Sequence, residues 1–193
     1  MSEYLNKSQL KKLGIFKIGK NCKISKNIRT YSLNCSIGDN VRIDDDVILK
    51  GKINIYSNVH IARGCTLSGG KNGIIMDKFS GLSNFCQIFT VSDNFLSAVA
   101  SATTFNDKDR KKFCRIHSKK VFIGKCVIIG PFSVILPGAI IEDFSTVGPY
   151  SCIFTKIKKG YFVSNISTKK INYKKRNILE LEKIYEKYLK NYR

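Results

Sequence analysis

Residues 123–158, IGKCVIIGPFSVILPGAIIEDFSTVGPYSCIFTKIK, contain the pattern that decides the fold of this chain. The stretch divides into units of six residues, and each unit opens on an aliphatic residue. Glycine recurs at the second position, and all three prolines of the chain occupy the third. The fifth positions are Val127, Ser133, Ala139, Ser145, Ser151 and Ile157.

The same period organises the first half of the chain. Consecutive hexads follow one another from Tyr31, and an earlier pair begins at Ile18. Beyond the glycines at 69–70 we expect hexads opened by Ile75, Leu82 and Ile88, with a one-residue slip at Gly81. Cysteines at fifth positions are expected to act as small apolar side chains. Four of the seven are placed in this way: Cys22, Cys35, Cys65 and Cys86.

A period of six is neither the value of about 3.6 that marks an α-helix nor the value of about 2 that marks a simple strand. It is typical of a parallel β-helix, in which three hexads make one coil. The first residue of each hexad points inward and stacks on its equivalent in the next coil. Because one coil cannot bury its own apolar face, coils must stack. The sequence therefore predicts an all-β chain with a β-helix as its body.

Composition limits the classes of function. The chain has 193 residues and a formal net charge of +20, with lysines spread along its length. This charge indicates a solvated basic surface, or attraction to phosphates or anionic lipid; no recognition motif for nucleic acid accompanies it. The polar start and the short uncharged run 126–141 predict neither a signal peptide nor a transmembrane segment. With two histidines and no C-x-x-C pair, we expect no metal and a soluble, cytoplasmic protein.

The last segment, NILELEKIYEKYLKNYR (residues 177–193), has a helical period. One apolar stripe is formed by Ile178, Leu181, Ile184, Tyr185, Tyr188 and Tyr192. We predict a β-helix body over residues 1–170, followed by a helical segment over 171–193 that caps the last open coil. A basic amphipathic helix resting on a membrane surface is the alternative.

Five short segments carry a resemblance to a known family. They are IGDNVRIDD (37–45), VHIA (59–62), FSGLS (79–83), SDNF (92–95) and IGPFSVILPG (129–138). The chain resembles the left-handed β-helix acyltransferases of the hexapeptide-repeat family, and within it the branch that acylates amino groups on nucleotide-linked amino-deoxy sugars. The resemblance implies a left-handed parallel β-helix, an acyl-CoA donor, a homotrimer, and active sites between neighbouring subunits.

The regular period stops at Asp93, so residues 94–120 are expected to leave the β-helix as an extruded loop. In the family that the chain resembles, such a loop lies beside a catalytic histidine, whereas this chain has Asp93 at that position. A hydroxyl nucleophile needs a positioned base, but a sugar amine titrates nearer neutrality and needs less help. Asp93 therefore favours N-acylation, and an ordinary loop-opening aspartate is the alternative.

His60 is the second catalytic candidate, as a base or a sugar ligand, with an exposed corner histidine as the alternative. At three hexads a coil, Arg42 should lie one coil before His60 and Ser80 one coil after it, as a polar column along the acceptor cleft. Asn84 and Asn94, which adjoin or lie within the resembling segments, are further substrate-binding candidates. His117, late in the loop, is expected at the surface. These positions are read from the sequence.

Candidates for the donor site lie in the second half. Gly130, Ser133, Gly148 and Ser151 have short or absent side chains that would let the pantetheine arm of CoA run beside stacked coils. The resemblance adds the Thr155–Lys156 pair. Lys158, Lys169 and Lys170 are candidate partners of the CoA phosphates because each supplies a point charge. The family's Gly-Asn-Pro-Ala segment is replaced here by the sequence SNIS at 164–167, which leaves the adenine contacts open.

Together these features predict an acetyl-CoA-dependent N-acetyltransferase. Its expected acceptor is a nucleotide-linked sugar, a dTDP-linked 4-amino-4,6-dideoxy sugar, used in surface polysaccharide biosynthesis. One alternative is a saccharide O-acetyltransferase with the same fold. Another is a non-catalytic β-helix scaffold or sugar-binding module, which an absence of CoA binding would favour.

Overall fold

The computed structural model describes residues 3–93, 106, 116–164, 174–175 and 178–191. In the first half, the described elements are α1 (Lys7–Lys12), β1 (Ile15–Ile18), β2 (Lys23–Ile24), β3 (Arg29–Ile37), β4 (Arg42–Ile43), β5 (Ile48–Ile55), β6 (His60–Ile61), β7 (Thr66–Ser68), β8 (Ile74–Met76), β9 (Gly81–Leu82), β10 (Gln87–Phe89) and β11 (Val91–Asp93). In the second half they are β12 (Ile116–Ser118), β13 (Val121–Ile123), β14 (Ile128–Ile129), β15 (Val134–Ile135), β16 (Ile140–Ile141), β17 (Thr146–Val147), β18 (Cys152–Ile153), β19 (Lys156–Ile157), β20 (Tyr161–Val163), β21 (Lys174–Lys175) and α2 (Ile178–Asn191).

The strands form the three faces of a parallel β-helix, which confirms the predicted fold class. Face A holds the first parts of β3 and β5, then β7, β10, β15 and β18; face B holds β1, the ends of β3 and β5, then β8, β13, β16 and β19. Face C runs from β2 through β4, β6, β9, β14 and β17 to β20, with β21 added antiparallel at the end. The chain visits faces C, A and B in turn, so three corners, C–A, A–B and B–C, separate the faces.

The core consists of the residues that open the hexads. On face C, Ile61 pairs with Leu82, which pairs with Ile129, and all three side chains are buried. The fifth positions are buried as well, including Cys35, Cys65 and Cys86, and burial raises the pKa of the Cys35 thiol to about 12. Cys22 is half-buried at the less covered first coil. The predicted inward positions of the hexads are thus confirmed over most of the chain.

Two hexads are placed wrongly by the sequence pattern. Ile55 pairs with Met76, so Met76 rather than Ile75 opens its hexad and no slip occurs at Gly81. Ile75 and Met76 are both apolar, so the sequence allowed either of them to be the first residue of the hexad. The residues around the glycines at 69–73 also lengthen that coil. Near the end, Ile157 pairs with Ile141 and so opens a hexad instead of taking a fifth position. The pattern then continues to Val163, which is buried.

A short helix that the sequence analysis missed covers the first coil. Leu10 of α1 is buried in the same apolar cluster as Ile15 and Ile24. The helix begins with a capping box, in which the side chains of Asn6 and Gln9 each accept a hydrogen bond of 2.9 Å from the other's backbone N–H. The Asn-x-x-Gln spacing was the available signal, because it satisfies N–H groups that a helix start leaves unpaired.

The helix α2 was predicted, but its position was not. Tyr185 meets the rings of Phe79 and Phe144 edge-on, with centroids 5.2 Å and 6.2 Å apart. Lys159 forms an ion pair of 2.6 Å with Glu182 of the helix. Phe79 and Phe144 lie at the B–C corner of different coils, so α2 follows the flank of the β-helix. The prediction that α2 covers the last open coil stays a prediction. The predicted boundary at residue 170 lies outside the described residues.

The predicted loop leaves the β-helix as a two-stranded ribbon. Strand β11 pairs antiparallel with β12, so that Asp93 faces Ile116 and Ser92 faces His117. The excursion therefore begins at Val91, three residues before the predicted start. It emerges at the A–B corner, where the backbone N–H of Lys119 donates to Thr90. Among the described helices, neither has the length and apolar character that crossing a bilayer requires.

Candidate functional site

An open groove of about 430 Å³ lies along the C–A corner of the β-helix. Its lining residues come from β6, β9, β14 and the turns that follow them: His60, Ala62, Gly81, Leu82, Ser83, Asn84, Ile128 and Pro131. Three of these side chains, His60, Ser83 and Asn84, can donate or accept hydrogen bonds. The remainder form an apolar wall. The structure thus brings together two predicted site residues, His60 and Asn84.

Asp44 links His60 to Arg42 at one end of this groove. The Asp44 carboxylate accepts from Arg42 Nε at 2.6 Å and lies 2.8 Å from His60 Nε2. Burial of Asp44 acts to raise its pKa, but the hydrogen bonds from Arg42 and His60 outweigh it, so the pKa of Asp44 lies below its usual range. Asp44 therefore stays a carboxylate at neutral pH and holds the histidine ring from one side.

A second cleft, of about 500 Å³, lies on the far side of Arg42 and Asp44. Charged and polar side chains line it: Glu3, Tyr4, Ser25, Lys26, Asn27, Arg42, Asp44, Asp45 and Arg63. The polar contacts of the Arg42–Asp44–His60 cluster thus lie between two openings on the protein surface.

The predicted polar column is correct on one side of His60 and wrong on the other. Arg42 pairs with His60 in register, as expected. The next coil presents Gly81 at this place, not Ser80. Ser80 takes the inward fifth position, where it is 3% exposed and donates to the carbonyl oxygen of Asp77 at 2.7 Å. The error follows from the misplaced hexad at Ile75, and no surface contact supports a substrate-binding role for Ser80.

Asp93 lies at a different corner from His60. It ends strand β11 of the ribbon at the A–B corner, whereas His60 borders the C–A corner, so face A separates them within one chain. Neighbouring side chains of a strand point to opposite sides. Asp93 and His117 therefore occupy opposite sides of the ribbon, because His117 faces Ser92. His117 is exposed, as predicted.

The predicted donor residues of the C–A corner serve the packing of the coils. Ser133 and Ser151 are fully buried, and the hydroxyl groups of both donate to the carbonyl oxygen of Gly148, at 3.0 Å and 2.8 Å. Fifth positions face inward, so these two hydroxyl groups lie inside the β-helix. The approach of a pantetheine arm to the backbone of this corner stays a prediction. At Gly130 a Cβ atom would lie 2.6 Å from the backbone nitrogen of Pro149, so the next coil accounts for this glycine.

The other described donor candidates lie elsewhere. Thr155, Lys156 and Lys158 are exposed, and they follow the A–B corner that also carries the ribbon. Lys156 is already paired with Glu142 at 2.6 Å, and this contact, helped by the backbone N–H of Lys159, lowers the pKa of Glu142. Among the described residues the side chain of Lys158 forms no ion pair, and its carbonyl oxygen accepts a hydrogen bond from the Ser145 hydroxyl group. Lys156 is thus the less available of the two cations.

Three predicted site residues, Asn94, Lys169 and Lys170, lie outside the described residues. Within residues 3–93, 116–164 and the other described positions, no cluster of three or more His, Cys, Asp or Glu side chains is arranged to hold a metal ion.

Sequence reasoning missed Ser83, Asp44 and an aromatic ladder beside the groove. The rings of Phe85, Phe132 and Tyr150 stack at the C–A corner with centroid separations of 5.2 Å and 5.1 Å. The available signal was the fourth hexad position, which is aromatic in three successive coils. For Ser83 and Asp44 the available signal was their place in the resembling segments FSGLS and IGDNVRIDD, since the second place of a hexad is by itself uninformative.

Comparison with known proteins supports a single family. The family model described as bacterial transferase hexapeptide (six repeats) matches residues 120–155. The dTDP-4-amino-4,6-dideoxy-D-glucose acyltransferase of Escherichia coli is 32% identical over 187 residues, which cover 95% of each chain.

Solved structures of AntD, an N-acyltransferase from Bacillus cereus, are similar over the whole chain. The complex of AntD with dTDP and 3-hydroxybutyryl-CoA is 32% identical, covers 98% of this chain and 100% of that one, and has a TM-score of 0.85. A serine-to-cysteine variant of AntD, bound to dTDP-4-amino-4,6-dideoxyglucose and Coenzyme A, is 32% identical with a TM-score of 0.84 over 97% of this chain and 99% of that one. Hexads in register around a three-faced β-helix, together with this similarity along nearly the full length, show that the chain belongs to the hexapeptide-repeat acyltransferases.

Proposed function

We propose that this chain is an acyl-CoA-dependent N-acyltransferase that acylates the 4-amino group of a dTDP-linked 4-amino-4,6-dideoxy sugar. The proposed donor is acetyl-CoA, and the proposed role is cytoplasmic synthesis of a sugar for a surface polysaccharide. The relatives support the class of acceptor, since the Escherichia coli protein is named for dTDP-4-amino-4,6-dideoxy-D-glucose. AntD binds 3-hydroxybutyryl-CoA, so donor length is the open variable in this family.

The observation that carries the proposal is the mixed character of the groove at the C–A corner. His60, Ser83 and Asn84 supply hydrogen-bonding groups, while Leu82, Ile128 and Pro131 supply an apolar wall. A 4-amino-4,6-dideoxy sugar has the matching composition, because it presents an amine and hydroxyl groups together with a methyl group. Ligand sites generally combine an apolar lining with a few polar groups that fix orientation.

The reaction needs one proton to move. The lone pair of the neutral amine attacks the carbonyl carbon of the thioester, a C–N bond forms, and the C–S bond breaks. CoA leaves as a thiolate, and the proton released by the amine is finally taken up by the sulfur. A positioned base is useful for the intermediate transfer. Asp93 and His60 are the candidate bases. Crystallised variants of AntD include replacements of an aspartate and of a serine. In this chain, Asp93 and Ser83 are the residues of these two types that we propose for the site.

The separation of the candidates suggests a shared site. Face A lies between His60 and Asp93 in one chain, so one sugar can meet both only if they come from different subunits. A three-fold assembly in which the ribbon of one subunit lies over the C–A corner of the next would achieve this. We therefore propose a homotrimer with active sites between subunits.

The proposed function is tested by measuring CoA release with matched acceptors. We expect turnover of dTDP-4-amino-4,6-dideoxyglucose with acetyl-CoA, and an N-acylated product by mass spectrometry. The control is dTDP-6-deoxyglucose, which carries a hydroxyl group in place of the amine. Turnover of the hydroxyl sugar alone would identify an O-acetyltransferase. If no acceptor reacts and acyl-CoA does not raise the melting temperature, the scaffold alternative is correct, because a bound ligand must stabilise the folded state.

Lys158 is expected to contribute to donor binding. Replacing it with alanine should raise the KM for acetyl-CoA about fivefold, which corresponds to about 1 kcal/mol for an exposed charge pair. The kcat should change little, because such a contact is made equally in the ground state and the transition state. Lys156→Ala should have a smaller effect, since Lys156 already pairs with Glu142.

The control for this prediction is Lys12→Ala, an exposed lysine of α1 at the opposite end of the β-helix. It removes the same charge and should leave the KM unchanged. Equal effects of Lys12→Ala and Lys158→Ala would show that only the net charge of the protein attracts the donor.

A further inference from the structure

We propose that Asp44 is the positioning residue of His60: it fixes the ring by binding Nε2 and so leaves Nδ1 as the nitrogen that exchanges protons. The reaction this serves rests on the proposed function, but the position and tautomer of the ring do not. The distance of 2.8 Å between Asp44 Oδ2 and His60 Nε2 is that of a charge-assisted hydrogen bond.

Three consecutive aspartates divide their contacts, and only one of them reaches His60. Asp44 binds Arg42 and His60. Asp45 turns the other way and accepts hydrogen bonds from Ser25 and, at 3.4 Å, from Asn27. Asp46 binds Arg63 Nε at 2.9 Å. Asp45 and Asp46 have the same side chain as Asp44 but do not contact His60. The contact therefore depends on the position of Asp44 in the coil.

The charged groups on the strands next to His60 are consistent with this role, because Asp44 is the carboxylate that contacts the ring. Strand β4, packed on one side of β6, presents Arg42, and the residues after it present Asp44. Strand β9, on the other side, presents Gly81, and the groove beyond it holds the uncharged Ser83 and Asn84. The remaining titratable or charged groups nearby line the second cleft: Glu3, Tyr4, Lys26, Asp45 and Arg63.

The chemistry of the pair determines the tautomer. A carboxylate only accepts hydrogen bonds, so the neutral ring must carry its proton on Nε2 when it binds Asp44. Nδ1 then has a free lone pair and can accept a proton from the sugar amine, or a hydrogen bond from the sugar. Arg42 binds the other carboxylate oxygen and keeps Asp44 in place. Carboxylate–histidine pairs orient catalytic rings in the same way in other enzymes.

The test is nitrogen NMR of protein labelled at the histidine rings. The two histidines are distinguished with His117→Gln, which removes the second signal. In the unmodified chain we expect one dominant tautomer, with Nε2 protonated. Asp44→Asn and Asp44→Ala should each give a mixture of both tautomers. Asp45→Asn is the matched control and should leave the His60 signals unchanged.

Kinetics supply the second readout. Asp44→Ala should lower kcat/KM about tenfold, less than the ~10²–10⁴ of a direct acid–base group. An unchanged tautomer ratio in both Asp44 variants overturns the proposal. A changed tautomer ratio with an unchanged kcat/KM overturns its role in the reaction. If no sugar is turned over, the proposed function fails while the NMR result still decides whether Asp44 positions His60.

Discussion

Replacing Ile129 with aspartate is expected to prevent folding altogether. The side chain is fully buried on face C, between Leu82 of the preceding coil and Val147 of the next. A carboxylate there would have apolar neighbours and no partner, which is among the most destabilising changes a core can receive. Ile129→Ala should leave the fold intact but lower the free energy of unfolding by ~2–5 kcal/mol, through lost apolar contact and the cavity left behind.

The matched control is the preceding residue of the same strand. Ile128 is 51% exposed, so Ile128→Ala and Ile128→Asp should change the free energy of unfolding far less than the same changes at Ile129. Urea denaturation followed by circular dichroism measures the alanine variants, and the yield of folded protein measures the aspartate variants. A folded Ile129→Asp protein would show that the inward phase of the hexads is wrong.

Asp93→Asn is expected to lower kcat about 10²-fold, the lower end of the ~10²–10⁴ that a general base contributes. The amide keeps the shape of the side chain but cannot take a proton. The pH–rate profile should shift to higher pH, because the amine must then lose its proton without help. His60→Asn is measured in parallel to decide which residue is the base. The residue whose replacement removes the acidic limb of the kcat/KM profile is the better candidate. Near-normal rates in both variants across the pH range would exclude both residues as the base.

The same two variants test whether the site is shared between subunits. If the proposed trimer forms, mixing Asp93→Asn and His60→Asn chains should give some sites that combine an intact His60 from one chain with an intact Asp93 from its neighbour. Random mixing at equal amounts should give about one quarter of normal sites if the contacts run head to tail around a ring. Trimers of either variant alone serve as controls. No recovery on mixing would place both residues in the site of a single chain.

Most of the fold follows from the sequence, because its determinants repeat. Each inward residue stacks on an equivalent one coil away, so errors at single hexads do not disturb the whole pattern. The errors fall where the repeat offers two choices, as at Ile75 and Met76. The flank position of α2 could not be predicted, since its Tyr185 contacts depend on aromatic rings projecting from a distant corner.

The candidate site was predicted only in part. Arg42 and His60 were predicted as neighbours in a polar column and lie in register, and the predicted residue Asn84 lines the groove. Their roles in binding stay predictions. Ser80 was expected in the outward polar column, but its side chain faces inward. A serine hydroxyl inside the β-helix can bind a backbone carbonyl, so its polarity says little about exposure.

By itself, the sequence determined most of the residues that face the interior, because the six-residue period fixes the alternation of inward and outward side chains wherever its phase is unambiguous. Only the tertiary structure decided how the outward residues combine. Asp44, Asp45 and Asp46 carry the same side chain, yet each binds different partners, and their long-range partners lie 16 to 20 residues away. Such pairings depend on the length of each coil and on side-chain direction, which a local period does not specify. The groove beside His60 exists for the same reason, since stacking brings residues 60–62, 81–84 and 128–131 to one corner.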